Sequence, residues 1–325
     1  MALRPAQEGS DAFPMGCGQD GTFLLPQSFG TERAAPIIAR LSANGTLLAV
    51  VDAERVPGLG RTSIEDFAPG PNGETYLMAR RVFKQYYFRD EHGQVAPSGR
   101  ADYPEVWLVR YDKNGDFVDK KQVNAASRVR FAVFPSGELF VLSYGTNNHQ
   151  VRLGDLPLWM VVAGVFSRDG VLLHSVTLPD FFLNTVSGKS RIPSPTPLPM
   201  LGADGDVYVV KEGATPALAV ISPEGTAIRI TTLAVPRGQA LDFSRLIGNR
   251  LIARMAPFEP TGSFQQSFAE FDTETGAMVS NYKFSKANWM PGCDLGSGLT
   301  GINPAGTLDV LSPIQSSGNK LSSLQ

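Results

Sequence analysis

One short stretch, "PNGETYLMA" (Pro71–Ala79), returns along the chain in altered form, and its recurrence limits the available folds. "QDGTFLLP" starts at Gln19, "PSGELFVLS" at Pro135, "ADGDVYVVK" at Ala203 and "PAGTLDVLS" at Pro304, with a weaker copy, "IGNRLIARM", at Ile247. Each copy has a glycine turn followed by an alternating apolar run rich in β-branched and aromatic residues, which reads as a short strand. A second motif interleaves with the first: "IARLSANGTLLAVVD" from Ile38, "LVRYDKNGDFVDKKQV" from Leu108, "VAGVFSRDGVLLHSVTL" from Val162, "LAVISPEGTAIRITTL" from Leu218 and "FAEFDTETGAMVSNYKF" from Phe268. Each of these reads as strand, glycine turn, strand. Asn-Gly and Asp-Gly are strong hairpin signals because glycine tolerates positive φ.

The turn glycines of the first motif are Gly21, Gly73, Gly137, Gly205, Gly248 and Gly306. Their spacing averages about 57 residues, the size of one four-stranded unit. Each unit holds an inner hairpin, A–B, and an outer hairpin, C–D. Such a unit cannot bury both faces of its sheet alone, so neighbours must cover them. The pattern predicts an all-β chain: a six-bladed β-propeller of four-stranded antiparallel blades, one domain over residues 1–325. The last unit is short. The N-terminal "ALRPAQE" is expected to supply its outermost strand, closing the ring and removing the free edge between first and last blades.

"LVRYDKNGDFV" followed by "FAVFPSGELFVLS" resembles NHL-repeat and related six-bladed propellers, the TolB-like superfamily that also includes gluconolactonase-like lactonases. The resemblance spans nearly the whole chain and implies a fold more than a function, because turn glycines and core positions carry it. The lactonase-like members hold a divalent metal at the channel mouth with Glu, Asn and Asp. The nearest materials here are Glu65, Asp66, Asp242, Asp294 and Asn303, and hard oxygen ligands of this kind would suit calcium or magnesium.

Composition narrows the partners. With 42% hydrophobic residues the chain can build a substantial core, and 18% charged residues with a net charge of −2 give no field for nucleic acid or a membrane surface. The 33 glycines and 24 prolines are spread between apolar runs, as turns in an all-β chain would be. The longest apolar run, "LPLWMVVAGVF" (Leu156–Phe166), is too short to span a bilayer, so no transmembrane segment is expected. The N-terminus lacks the apolar core of a signal peptide. Either the protein is cytoplasmic, or it is periplasmic or secreted, in a bacterium, with its leader absent from this chain.

Strand parity places the A–B and C–D turns on one face and the B–C loops and D–A crossovers on the other. The first set is short. The second is long: Pro26–Pro36, Arg81–Glu105, Tyr144–Pro157, Pro179–Pro197, Met255–Ser267 and Ser285–Gly298. Long loops on a rigid scaffold are where binding residues are expected. The Arg81–Glu105 insert and its flanks carry Tyr86, Tyr87, Phe88, Tyr103 and Trp107, which would form either an aromatic lip for a glycan or peptide or a hairpin packed over its own blade. "RIPSPTPLP" (Arg191–Pro199) reads either as a polyproline recognition segment or, by preference, as a stiff crossover into the fourth inner strand.

Just before the inner strands are expected Arg61, Arg128, Arg130, Arg191, Arg237 and Arg245, with Glu65, Asp66, Asp242 and Asp294 sharing the region. Several should line the channel mouth. Guanidinium groups there would grip a carboxylate or phosphate; alternatively, arginines and acids pair with each other and plug the channel. His92, His149 and His174 do not share an equivalent position, which argues against a three-histidine zinc centre. "DKNGD" (Asp112–Asp116) reads as a hairpin turn and lacks the rest of a calcium loop. No nucleophile with an evident base appears. Cys17 and Cys293 belong to blades that a closed ring makes neighbours, so either they form a disulfide, which implies an oxidising compartment, or they are two separate thiols.

The sequence therefore points to a non-catalytic binding or scaffold protein, without a cofactor, that takes an anionic small molecule, a glycan or a protein partner. The alternative is a metal-dependent hydrolase or lyase of the lactonase type.

Overall fold

The computed structural model describes residues 16–18, 20–27, 37–42, 46–52, 55–81, 87–89, 95–97, 105–123, 128–144, 161–178, 185–186, 189–190, 198–211, 215–257, 267–283, 301–302, 308–311 and 323–324. Among them the chain is all-β, with a single short 3-10 turn at Pro71–Gly73. No helix is long and apolar enough to cross a membrane among the described residues.

The strands pair in sequence order into consecutive antiparallel sheets. Sheet 1 is Gly16–Cys17, Phe23–Gln27, Ile37–Leu41 and Leu47–Asp52. Sheet 2 is Gly60–Pro69, Thr75–Arg81, Val106–Tyr111 and Phe117–Val123, with Arg55–Val56 added beside its first strand. Sheet 3 is Arg128–Val133, Leu139–Tyr144, Val161–Phe166 and Leu172–Val176. Sheet 4 is Met200–Leu201, Val207–Lys211, Ala217–Ile221 and Ala227–Thr232. Sheet 5 is Gln239–Ile247, Arg250–Pro257, Ser267–Asp272 and Met278–Lys283. Sheet 6 has three described strands, Gly301–Ile302, Leu308–Leu311 and Ser323–Leu324. Two small hairpins, Tyr87–Arg89 with Val95–Pro97 and Thr185–Val186 with Lys189–Ser190, stand on the long connections.

The turns follow from the glycines. In sheets 1, 3 and 4 the A–B turn repeats one hydrogen-bond pattern, as in Phe134 N–H to Glu138 O and Gly137 N–H to Phe134 O, both 2.8 Å. The C–D turns of sheets 2 to 4 use the same pattern, and each C–D pairing carries a register shift beside its turn. This is a three-residue turn closed by a glycine bulge, so the positive φ falls on the glycine. The "PNG" turn differs: Asn72 also takes positive φ, at 59°, and is the one non-glycine residue to do so among the described residues.

The core lies between sheets. Along the second strand of sheet 2, Tyr76 and Met78 join a cluster with Phe131, Val133, Leu139 and Val141 of sheet 3. Leu77 and Ala79, on the opposite face, join Leu24, Ile38 and Val51 of sheet 1. Sheet 3 repeats this alternation, with Phe140 and Leu142 turned to Val207 and Val209 of sheet 4. Tyr208 and Val210 then meet Leu251 and Ala253 of sheet 5. Period-2 alternation thus buries both faces of the second strands of sheets 2 to 5, at roughly 1.5–3 kcal/mol for each large apolar side chain. The last strand of sheet 4, Ala227–Thr232, alternates between half-buried and exposed, as the outer edge of such a stack should.

The first strands of sheets 1 to 5 also touch one another in sequence order. Stacking face to face while keeping the first strands together gives a β-propeller-like arrangement, with these strands innermost.

Candidate functional site

The innermost strands and their A–B turns enclose a cavity of about 310 Å³. Five sheets contribute: Gly16 from the first, Phe67 to Pro69 from the second, Phe131 to Val133 from the third, Met200 and Leu201 from the fourth, and Arg245 and Leu246 from the fifth. Turn residues Asp20, Asn72 and Pro135 are exposed, while Phe67, Phe131, Met200 and Arg245 are buried. The cavity therefore opens among the short A–B turns and deepens along the axis.

A charged cluster sits at its deep end. Asp66, only 1% exposed, accepts the Phe131 N–H at 3.0 Å and Arg130 Nη1 at 3.4 Å. Arg130 Nη1 also donates to the Glu65 carbonyl at 3.0 Å. Glu65 is the extra residue of a bulge in the first strand of sheet 2, where Ile64 faces Ala79 and Asp66 faces Met78. The bulge re-aims both acids. The Glu65 carboxylate bonds Arg80 of its own sheet at 2.9 Å, and Asp66 crosses to sheet 3. Burial pushes the Asp66 carboxyl above its usual value, opposed by Arg130 and by the Phe131 and Phe67 N–H groups.

Arg245 completes the cluster from sheet 5. It is 4% exposed, donates from Nη1 to the Ser244 carbonyl at 3.3 Å, and lies within electrostatic reach of Asp66 and Arg130. Burial pushes its guanidinium down to about 10, with Asp66 raising it and Arg130 lowering it further. It therefore remains charged at neutral pH. Asp20, at the rim, is committed elsewhere: it accepts Arg40 Nη2 at 2.8 Å and the Thr22 hydroxyl at 2.6 Å.

The described residues do not bring the other sequence-predicted residues into this cluster. Arg61 and Arg128 lie in the first strands of sheets 2 and 3, and Asp242 at a bulge in the first strand of sheet 5, between Leu241 and Phe243. The side chains of these three lie outside the described residues. Arg237 is exposed in the turn before Gln239–Ile247. Arg191, Asp294, Asn303, Tyr86 and Tyr103 lie outside the described residues, as do Cys293 and the side chains of Cys17, Tyr87 and Phe88. The face of long loops falls largely outside them too. Trp107 is in the strand Val106–Tyr111, half-buried against the core between sheets 1 and 2, with its indole N–H on Glu105 at 3.2 Å. "DKNGD" forms the C–D turn of sheet 2, where Asp112 accepts the Asn114 and Asp116 N–H groups at 2.9 Å each. His174 lies in the last strand of sheet 3.

The apolar wall was not singled out from the sequence. For Phe67 and Phe131 the available signal was their place two residues before the last paired residue of an inner strand.

No family model and no curated protein matches the chain. Solved structures similar to it include a protein of unknown function from Bacteroides caccae, at 13% identity and TM-score 0.49 over 86% of this chain and 84% of that one. Hydrazine synthase of Kuenenia stuttgartiensis is similar at 10% identity and TM-score 0.46 over 86% of this chain and 69% of that one. The exo-β-1,3-galactanase of Phanerochaete chrysosporium, solved with galactose, is similar at 10% identity and TM-score 0.43 over 87% of this chain and 67% of that one. Likeness this distant leaves the functional reading on the chain's own residues.

Proposed function

We propose that the six sheets close into a single six-bladed ring of the NHL-repeat, TolB-like kind, and that the protein is a non-catalytic binder that takes a small anion in its axial cavity. The observation that carries the reading is a buried arginine, Arg245, in the wall of a cavity of about 310 Å³ among the innermost strands. A guanidinium in a low-dielectric wall favours a carboxylate or phosphate, which its fork of donors can bond twice. The volume is at the lower end for ligand pockets, enough for one small molecule. Two acids that the lactonase-type alternative would use, Glu65 and Asp66, each bond an arginine, which supports a binder over a metal-dependent hydrolase.

The test is isothermal titration with acetate, benzoate, phosphate and citrate. At least one anion should bind saturably, and Arg245→Gln should weaken it about tenfold or more, the usual worth of a charge-assisted hydrogen bond. Equal binding by the parent and a folded Arg245→Gln would overturn the reading, as would no binding by any anion.

A further inference from the structure

The cavity's lining says more about its occupant than that it is anionic. Apart from Arg245 and the rim residue Asp20, no described lining residue carries a charge. The wall is otherwise largely apolar: Phe67, Phe131 and Met200 are buried in it, with Val133, Phe134 and Leu246 nearer the turns. Four more lining positions are prolines, Pro69, Pro71, Pro135 and Pro199, which have no backbone N–H to offer. A phosphate or polycarboxylate needs several donors to replace its water, and this wall is short of them. A single carboxylate with an apolar body needs one guanidinium and dry surface. We propose that the axial cavity selects an amphiphilic monocarboxylate, a small aromatic or short-chain aliphatic acid. It enters between the A–B turns, apolar body against Phe67, Phe131 and Met200 and carboxylate toward Arg245.

This rests on the anion-binding reading above and adds the ligand's class and the face of access. The fit with charge is direct. Asp20 at the mouth is neutralised by Arg40, so the rim does not repel an incoming acid. Arg245 is buried deeper, where an ion pair is screened least by water.

The experiment compares benzoate, hexanoate, acetate, phosphate and the neutral benzyl alcohol on the parent and on Arg245→Met, by titration calorimetry. Benzoate and hexanoate should bind about tenfold or more tighter than acetate, phosphate or benzyl alcohol, and Arg245→Met should bring benzoate to the level of the alcohol. Because Arg245 is buried and its replacement can impair folding, a crystal of the parent soaked in 4-iodobenzoate gives an independent readout. Anomalous iodine signal among Phe67, Phe131 and Met200 supports the proposal, and signal only elsewhere overturns it. Arginine-dependent binding of phosphate with benzoate no better than acetate overturns the selectivity and leaves the anion site standing. Benzyl alcohol binding as well as benzoate, with Arg245→Met without effect, overturns the role of the charge. No binding by any of the five overturns both readings together.

Discussion

Single ion pairs in this protein join neighbouring strands or sheets, and their energetics depend on how much water they keep. Arg110 and Asp119 face each other across the outer hairpin of sheet 2, with Arg110 Nε donating to Asp119 Oδ1 at 2.7 Å and Nη2 to the second carboxylate oxygen. That paired bond, followed by the charge of Arg110 and of Lys121 and Arg168, holds the Asp119 carboxyl below its ordinary 3.8 despite partial burial. The sign follows from linkage. As pH falls, the unfolded chain takes up the proton first, so the pair's contribution is whole above the ordinary value and disappears as pH drops through the lower native value. Asp119→Asn should therefore be less stable than the parent at neutral pH, and the gap should narrow as pH falls below the ordinary 3.8 and through the lower native value. Urea midpoints across that range measure it; a gap of constant size would show that Asp119 stabilises by packing and not by charge. Asp66 is the contrasting case, since complete burial raises its carboxyl even with Arg130 beside it.

Turns set how closely one sheet can approach the next. Gly276, in the C–D turn of sheet 5, has φ +70° and sits so close to the outer strand of sheet 4 that an added Cβ would be 2.1 Å from the Thr232 carbonyl oxygen. Gly115 of sheet 2 stands in the same relation to Val50 of sheet 1, at 2.7 Å. The outer turns of sheets 2 to 5 thus each key into the previous sheet. Gly276→Ala should cost about 1–3 kcal/mol for the left-handed backbone and more for the clash. A denaturant titration reads this, and a loss below about 0.5 kcal/mol would mean that the two sheets separate without cost at this point. These turns were legible in the sequence because a glycine set between two apolar runs has a mechanism behind it, the positive φ that it tolerates. The strand order followed, and sheets 1 to 5 match the interleaved motifs. The bulges at Glu65 and Asp242 were not legible: the first shifts the apolar phase by one residue, so that Ile64 and Phe67 share one core cluster, and so short a break in alternation reads equally as a turn. The first decides that Glu65 bonds within its own sheet while Asp66 crosses to sheet 3. For the same reason the sequence collected Arg130, Arg245 and Asp66 as neighbours of the axis but left open whether they pair. It also looked to the long loops, whereas the cavity among the described residues opens at the short turns.

At the scale of the molecule, the chain is a row of sheets whose cores lie between neighbours, and a row has two ends. Clusters join sheet 1 to 2, 2 to 3, 3 to 4 and 4 to 5 among the described residues. In sheet 6 the strand Ser323–Leu324 pairs with Leu308–Leu311, and a fourth strand is needed to match the others. The proposed ring draws that strand from residues 2–8, so that the two ends of the row share one sheet. Nearest-neighbour stabilities then close on themselves, and no terminal sheet is left with a bare apolar face. Deleting residues 2–8 should lower the unfolding midpoint. It should also strip amide-exchange protection first from Leu308–Leu311 and from Gly16–Cys17, the innermost strand of the first sheet, before sheets 3 and 4 are affected. Closure predicts this order because loss of the shared strand frees both flanks of the joint. If protection is lost only around the deletion, or if the midpoint is unchanged, the N-terminal segment does not complete the sixth sheet, and the row must be capped by other residues.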